Sequence, residues 1–175
     1  TDLETPRAVV FDLDPGAPAT VVECCQIALL VREVLTSVGL ESFAKTSGSK
    51  GLQLYVPLNT ACAHDAAGDF ALAVGQLLER QHPRRVTTTM ARAVRPGKIF
   101  IDWSQNVRHK TTIGVYSMRA RVRPWVSTPV SWEEVTGCAD GSLDLRFETG
   151  DVLARVDELG DIFAPVLNLE QHLPT

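Results

Sequence analysis

Asp12 and Asp14 are the first residues whose types and spacing could do chemistry, in Phe11-Asp12-Leu13-Asp14-Pro15-Gly16. The apolar run from Ala8 to Phe11 reads as a buried strand that Pro15-Gly16 stops. Successive strand residues point to opposite faces, so the two carboxylates share a face and Leu13 turns away. Held side by side they repel, and their pKa values split unless a cation sits between them. Oxygen donors of this kind suit Mg2+ or Mn2+, which bind through one or two carboxylates plus substrate phosphates. A bare Asp-x-Asp is also a common solvated turn, so the rest of the chain has to decide.

A second group is Ser47-Gly48-Ser49-Lys50-Gly51, set between a strand at Ser42 to Thr46 and one at Leu52 to Val56 that Pro57 closes. Glycines allow close backbone approach, successive N–H groups form an anion nest, and Lys50 adds a point charge. It is not a Walker A loop, because G-x-x-x-x-G-K-[ST] is absent and no helix follows. Gly/Ser hairpins without a ligand are common, so phosphate binding and a plain turn both stay open. The third group is Ile99 to Trp103, which alternates as a strand with Phe100 and Asp102 on one face. Further on, Thr111 to Val122 reads as extended and ends in Arg119-Ala120-Arg121-Val122-Arg123, a comb of three arginines suited to phosphate. Three carboxylates beside a basic, nucleotide-sized cleft fit two-metal phosphoryl transfer, with ions roughly 3.5–4 Å apart.

The elements that would position these groups are legible. Thr20-Val21-Val22-Glu23 has the form of a capping box opening a helix. Its apolar stripe is Ile27, Leu30, Val31, Val34, Leu35 and Val38, and Gly39 ends it. Asp65 to Gln81 is a second helix with Phe70, Ala73, Val74, Leu77 and Leu78 inward; His64 before it reads as a surface or capping residue. Val86 to Met90 looks extended. Ser131-Trp132-Glu133-Glu134 is another capping box, and Thr149 caps a helix from Gly150 to Leu159. The Trp and Phe residues of this acidic tail read as core. The fold class is α/β (mixed α+β), a sheet flanked by helices near 20–38 and 65–81.

The length of 175 residues suits one domain, and 45% hydrophobic with 22% charged residues is ordinary for a globular protein. Val21 to Leu40 is the nearest approach to a membrane span, but Glu23, Gln26, Arg32 and Glu33 interrupt it. Thr1 to Arg7 is polar and has no signal-peptide form. The start without Met reads as a piece of a longer coding sequence. Cys24, Cys25, Cys62 and Cys138 form no C-x-x-C pair and read as inert thiols in a reducing cytoplasm. The net charge of −4 hides an asymmetry: Arg84 to Arg123 holds ten basic residues and one acid, Asp102.

Beyond these readings, F-D-L-D-P-G at 11–16, K-T-S-G-S-K-G-L-Q-L-Y-V-P-L at 45–58, I-F-I-D-W-S-Q-N at 99–106 and the downstream K-T-T-I closely resemble the archaeo-eukaryotic primase superfamily. Within it the chain resembles the polymerase domains tied to bacterial ATP-dependent ligases and their stand-alone primase-polymerase relatives. The resemblance implies a central, mostly antiparallel sheet and a DNA-repair nucleotidyltransferase that fills short gaps and extends ends. It implies Mn2+ (or Mg2+) as cofactor, NTP or dNTP as substrate, and gapped or broken DNA with a 5′-phosphate as partner. An ATP-dependent ligase and an end-binding protein are further implied partners, in a bacterial cytoplasm at the nucleoid. By resemblance Asp12, Asp14 and Asp102 are the metal-binding catalytic carboxylates. Ser47, Gly48 and Lys50 fall on the triphosphate turn, and Arg95, Gln105 and Arg119 on residues that contact phosphates or organise the site.

Two departures stand out. Gln53 occupies the place where the family usually has His, so it can donate to phosphate but carries no charge. Residues 1–175 correspond to the catalytic part, without the N-terminal portion that grips a 5′-phosphate in the family. Two rival readings remain at this stage. A haloacid-dehalogenase-type phosphohydrolase shares the Asp-x-Asp strand but wants Thr after D-x-D-G and a later acidic pair, which Pro15-Gly16 and the downstream chain do not supply. The other is a non-catalytic module that docks DNA ends or recruits a ligase.

Overall fold

The computed structural model describes residues 5–120 and 122–174. The apolar run after Arg7 forms β1 (Ala8–Pro15), followed by α1 (Val21–Ser37), β2 (Phe43–Thr46), β3 (Leu52–Pro57), α2 (His64–Gln81) and β4 (Val86–Thr87). Then come β5 (Ile99–Asp102), β6 (Pro129–Val130), α3 (Trp132–Ala139), α4 (Thr149–Leu159) and α5 (Pro165–Asn168). The six strands lie in the order β4-β5-β1-β3-β2-β6. Every pairing is antiparallel except β4 with β5. This is the mixed α+β architecture expected.

Strand alternation divides the sheet into an apolar and a polar face. Val9, Phe11 and Leu13 of β1, Leu52 and Leu54 of β3, and Ile99 and Ile101 of β5 are buried in one core with Ile27, Val31 and Leu35 of α1 and Ala71 and Leu78 of α2. Each such side chain contributes roughly 1.5–3 kcal/mol on burial. That core fixes register, since a slip of one residue would turn the Asp-bearing face inward.

Local signals set the helix ends. The Thr20–Glu23 box forms, with Glu23 Oε2 accepting from Thr20 N at 2.7 Å. The Ser131–Glu134 box likewise opens α3. Gly39 follows α1 at φ 77°. The α1 stripe is shorter than expected: Val38 lies past the last helical turn and is exposed. In α2, Ala73 is exposed rather than inward, because Ala67, Ala71, Val74 and Leu78 define the buried side. α4 is capped by Glu148, one residue before Thr149, whose N–H donates to Asp151 Oδ2; the Thr149 hydroxyl instead contacts Met118 Sδ at 3.3 Å. Extended structure at 86–90 is confined to Val86–Thr87.

The strand expected from Thr111 to Val122 does not form. Its only ladder contact among the described residues is a bridge between Met118 and Val126. Tyr116 sits at φ 63°, which breaks pairing, and β6 already occupies the open edge of β2. Of the arginine comb, Arg119 folds back to donate to Ser47 O at 3.2 Å, and Arg123 lies 3.5 Å from Glu148. Arg121 lies outside the described residues. Cys24, Cys25 and Cys138 are buried free thiols, and burial pushes the Cys24 and Cys25 thiols up, away from reactive thiolate. Among the described residues no helix is long and apolar enough to cross a membrane.

Candidate active site

Antiparallel pairing sets Asp12 opposite both Asp102 on β5 and Gln53 on β3, and Gln53 opposite Lys45 on β2. Directly opposed residues share a face. Asp102, Asp12, Gln53 and Lys45 therefore form one polar row across four adjacent strands, on the side away from the helices. Asp14 stands two residues along β1 from Asp12, opposite Phe100.

Asp102 is the buried carboxylate of the row, and Asp12 is half-buried with its Oδ1 enclosed. Burial, then the neighbouring Asp14, pushes the Asp12 pKa up to about 7; the Gln53 hydrogen bond and Lys45 pull the other way. Its Oδ1 is buried without a hydrogen-bond partner. Asp14 is exposed along one side; desolvation of its inner side and the neighbouring Asp102 raise its carboxyl, while Arg95, Arg119 and Lys50 lower it. Asp102 is held by its own turn. Oδ1 accepts from Ser104 N at 3.0 Å and Ser104 Oγ at 2.6 Å, and Oδ2 accepts from Gln105 Nε2 at 3.1 Å.

The Ser47–Gly51 turn closes on itself. Ser47 N donates to Gly51 O at 3.0 Å and Gly51 N to Ser47 Oγ at 3.1 Å. The Ser47 hydroxyl thus accepts within the turn and keeps its O–H as a donor. Gly48 has φ 65°, and a Cβ there would lie 2.9 Å from Ser127 N. At Gly51 a Cβ would lie 2.3 Å from Leu13 O and 3.4 Å from Asp14 Oδ1, so only glycine lets the turn press against the Asp-bearing strand. Lys50 is exposed beside it. Arg95 stacks its guanidinium 3.5 Å over the Phe100 ring and donates to Met90 O at 2.6 Å, which brings its charge to the Asp14 end.

The fold thus gathers Asp12, Asp14, Asp102, Gln53, Lys50, Arg95, Gln105 and Arg119 at one face, with Ser47 and Gly48 shaping the turn. A cavity of about 500 Å³ opens on the other flank of that turn, between Thr20, Lys50, Trp125 and Arg146; none of the three aspartates lines it.

The donor set fits a divalent cation. The unpartnered Asp12 Oδ1 and the upward push on both carboxyls are what a missing positive charge would relieve. Among the described residues no three His, Cys, Asp or Glu side chains close on one point. A cage of protein donors alone is therefore absent among them, and Mg2+-like ions do not need one, because they take one or two carboxylates with substrate phosphates.

Sequence reasoning missed three residues. Lys45 is buried under the row and burial lowers its pKa to about 7, against the pull of Asp12. Lys45 and Gln53 each lie four positions from Ser49, so a hairpin centred there pairs them. Ser104 orients Asp102. Asn106 is buried and acts as a surrogate strand: Oδ1 accepts from Val10 N at 2.8 Å and Nδ2 donates to Val10 O at 2.9 Å. Its own carbonyl lies 3.1 Å from His64 Nδ1, which gives that histidine a packing role rather than a solvent-facing one.

Comparison with known proteins shows the family and the fold. Residues 1–163 match the family described as LigD, primase-polymerase domain. The multifunctional non-homologous end joining protein LigD of Mycolicibacterium smegmatis is 48% identical over 159 residues, covering 90% of this chain and 20% of the relative. The LigD protein of Pseudomonas aeruginosa is 40% identical over 158 residues, 90% of this chain and 18% of that one. The chain thus spans about a fifth of the length of these relatives. A solved polymerase domain from Mycobacterium tuberculosis ligase D, in complex with DNA, superposes with TM-score 0.88 at 38% identity, covering 95% of this chain and 57% of that one.

Proposed function

We propose a function from one premise: the chain belongs to the LigD primase-polymerase domain family. It is the catalytic part of a DNA-repair primase-polymerase, in which a primer 3′-hydroxyl attacks the α-phosphate of an incoming NTP or dNTP and pyrophosphate leaves. The observation that carries this is the row of Asp102, Asp12 and Gln53 on three paired strands, beside Asp14 and the Ser47–Gly51 turn.

Asp12, Asp14 and Asp102 would hold Mn2+ or Mg2+, which supplies activation of the attacking oxygen and neutralises charge on the phosphates. Asp12, half-buried with an enclosed Oδ1 short of a partner, makes the interior donor; Asp14, exposed, faces incoming oxygens. Ser104 and Gln105 fix the Asp102 carboxylate so that it does not rotate out of the row. Lys50, Arg119 and Arg95 bring positive charge to the Asp14 end, where a triphosphate is neutralised. The second partner is DNA with gaps or ends, with a 5′-phosphate, and the setting is end joining in the bacterial cytoplasm alongside a ligase and an end-binding protein.

The test is Mn2+-dependent extension of a gapped, 5′-phosphorylated duplex. This chain is compared with a chain lengthened to match the full solved relative. Extension by either, abolished by Asp12→Asn, supports the reading. No extension by both, with DNA binding retained, would replace it by the end-docking role. Hydrolysis of a simple phosphomonoester that Asp12→Asn abolishes would point to the phosphohydrolase instead.

A further inference from the structure

Lys45 has no part in the reading above, yet it lies at the end of the row, 1% exposed, against Gln53 at 2%. A buried ammonium is costly unless each N–H is paired. All three are. Nζ donates to Gln53 Oε1 at 2.6 Å, to Ser127 Oγ at 2.7 Å and to Ile113 O at 3.0 Å. An ammonium has three donors and no acceptor, so Lys45 has none left for a nucleotide or for Asp12. Its effect must pass through the groups it holds.

Gln53 is the group that matters. While it is protonated, below a pH of about 7, Lys45 can only donate, so the carboxamide oxygen faces Nζ and the amide N–H2 faces the other way along the row. That end faces Asp12, which stands directly opposite Gln53 across β1 and β3, and the amide lowers the Asp12 carboxyl pKa. Asp12 Oδ1 stays buried and unpartnered. Ser127 anchors the far side, donating its hydroxyl to Thr46 O at 2.8 Å while accepting from Lys45. Without Lys45 the amide loses the donor that holds its oxygen on the β2 side and is oriented by Asp12 alone.

We infer that Lys45 is a positioning residue for Asp12: it locks the Gln53 amide so that its N–H donates to the carboxylate and leaves Oδ1 as the free donor for a divalent cation. This rests on the reading of Asp12 as a metal ligand. Partners that orient a ligating side chain are worth about 10–100-fold in metal affinity when removed.

The experiment is a double-mutant cycle read by calorimetric Mn2+ titration of the metal-free chain, with K45M, Q53L and the double variant, and folding checked by circular dichroism. K45M weakens Mn2+ binding about tenfold, Q53L by a similar factor, and the double variant is no worse than Q53L. Nucleotide affinity measured without metal stays within about twofold in K45M, which a general loss of packing would not allow. Equal losses from K45M with and without Gln53, or unchanged Mn2+ affinity in K45M, overturn the assignment and leave the metal reading standing. No Mn2+ binding by the unaltered chain overturns both. If K45M does not fold, S127A takes its place, since it removes one of the Lys45 acceptors at small cost in volume. Unchanged Mn2+ affinity in S127A then counts against the inference.

Discussion

Asp12 serves the site by being uncomfortable within it. Its folded pKa of about 7 lies above the ordinary carboxylate value of 3.8, so the metal-free folded state binds the proton more tightly than the unfolded chain. Stability from this group is therefore full at low pH and is lost as pH rises from about 4 through 7. Asp12→Asn should raise the melting temperature of the metal-free chain at pH 8, with the gain shrinking steadily below pH 7 and vanishing near pH 4, in paired melting curves. The same variant should lose roughly a hundredfold or more in extension rate, because it removes a charged donor. Lys45 runs opposite: its folded pKa of about 7 lies below 10.5, so its contribution to stability recovers as pH climbs above 7. At the Asp14 end, where we place the triphosphate, Lys50→Gln and Arg119→Gln should each raise nucleotide KM about tenfold, as expected for losing a hydrogen bond to a charged group. Wild-type KM in both would remove these residues from the nucleotide site.

The strands hold the site only because short-range devices hold the strands. Asn106 completes the pairing of β1 above the point where β5 ends, so Asn106→Ala leaves both Val10 backbone groups unpaired. A loss of about 2–4 kcal/mol follows, read as a drop in melting temperature of roughly 5–15 °C. Gly51→Ala puts a Cβ 2.3 Å from a backbone oxygen that cannot swing away, so the turn must lift off β1. Nucleotide KM should rise in G51A more than the folded fraction falls, a split that kinetics with a melting control resolves. What the sequence revealed is what local chemistry decides. The Asp12/Asp14 alternation, the Thr20 and Ser131 boxes and the glycine-rich turn each need only a few consecutive residues. Lys45 went unread because its meaning lies in cross-strand partners, although its symmetry with Gln53 about Ser49 was there to be counted. The arginine strand went wrong for a related reason: alternation promises a strand, but only a free sheet edge can accept one, and β6 had taken it.

For the whole molecule, the core and the charged face trade stability. Apolar packing between sheet and helices supports a row of groups that, without a cation, strain against each other. Mn2+ at about a hundred times its dissociation constant should add about 2.7 kcal/mol, or roughly 5–10 °C in melting temperature. That gain should grow as pH rises through 7 and the proton leaves Asp12, and differential scanning calorimetry across pH 5–8 reads it. A gain independent of pH would place the ion elsewhere. The order of strands has a consequence for how the chain is made. Asp12 and Asp102 face each other across paired strands yet lie ninety residues apart. A ribosome adding roughly 5–20 residues per second therefore leaves the β5-facing edge of β1 bare for several seconds after it emerges. Through that interval the nascent chain offers an apolar strand with an open edge, the kind of surface that recruits other chains. Only when Asp102 and Asn106 arrive does the edge close, and the same event brings the proposed metal ligands together, so on that reading a half-synthesised chain is sticky but catalytically mute.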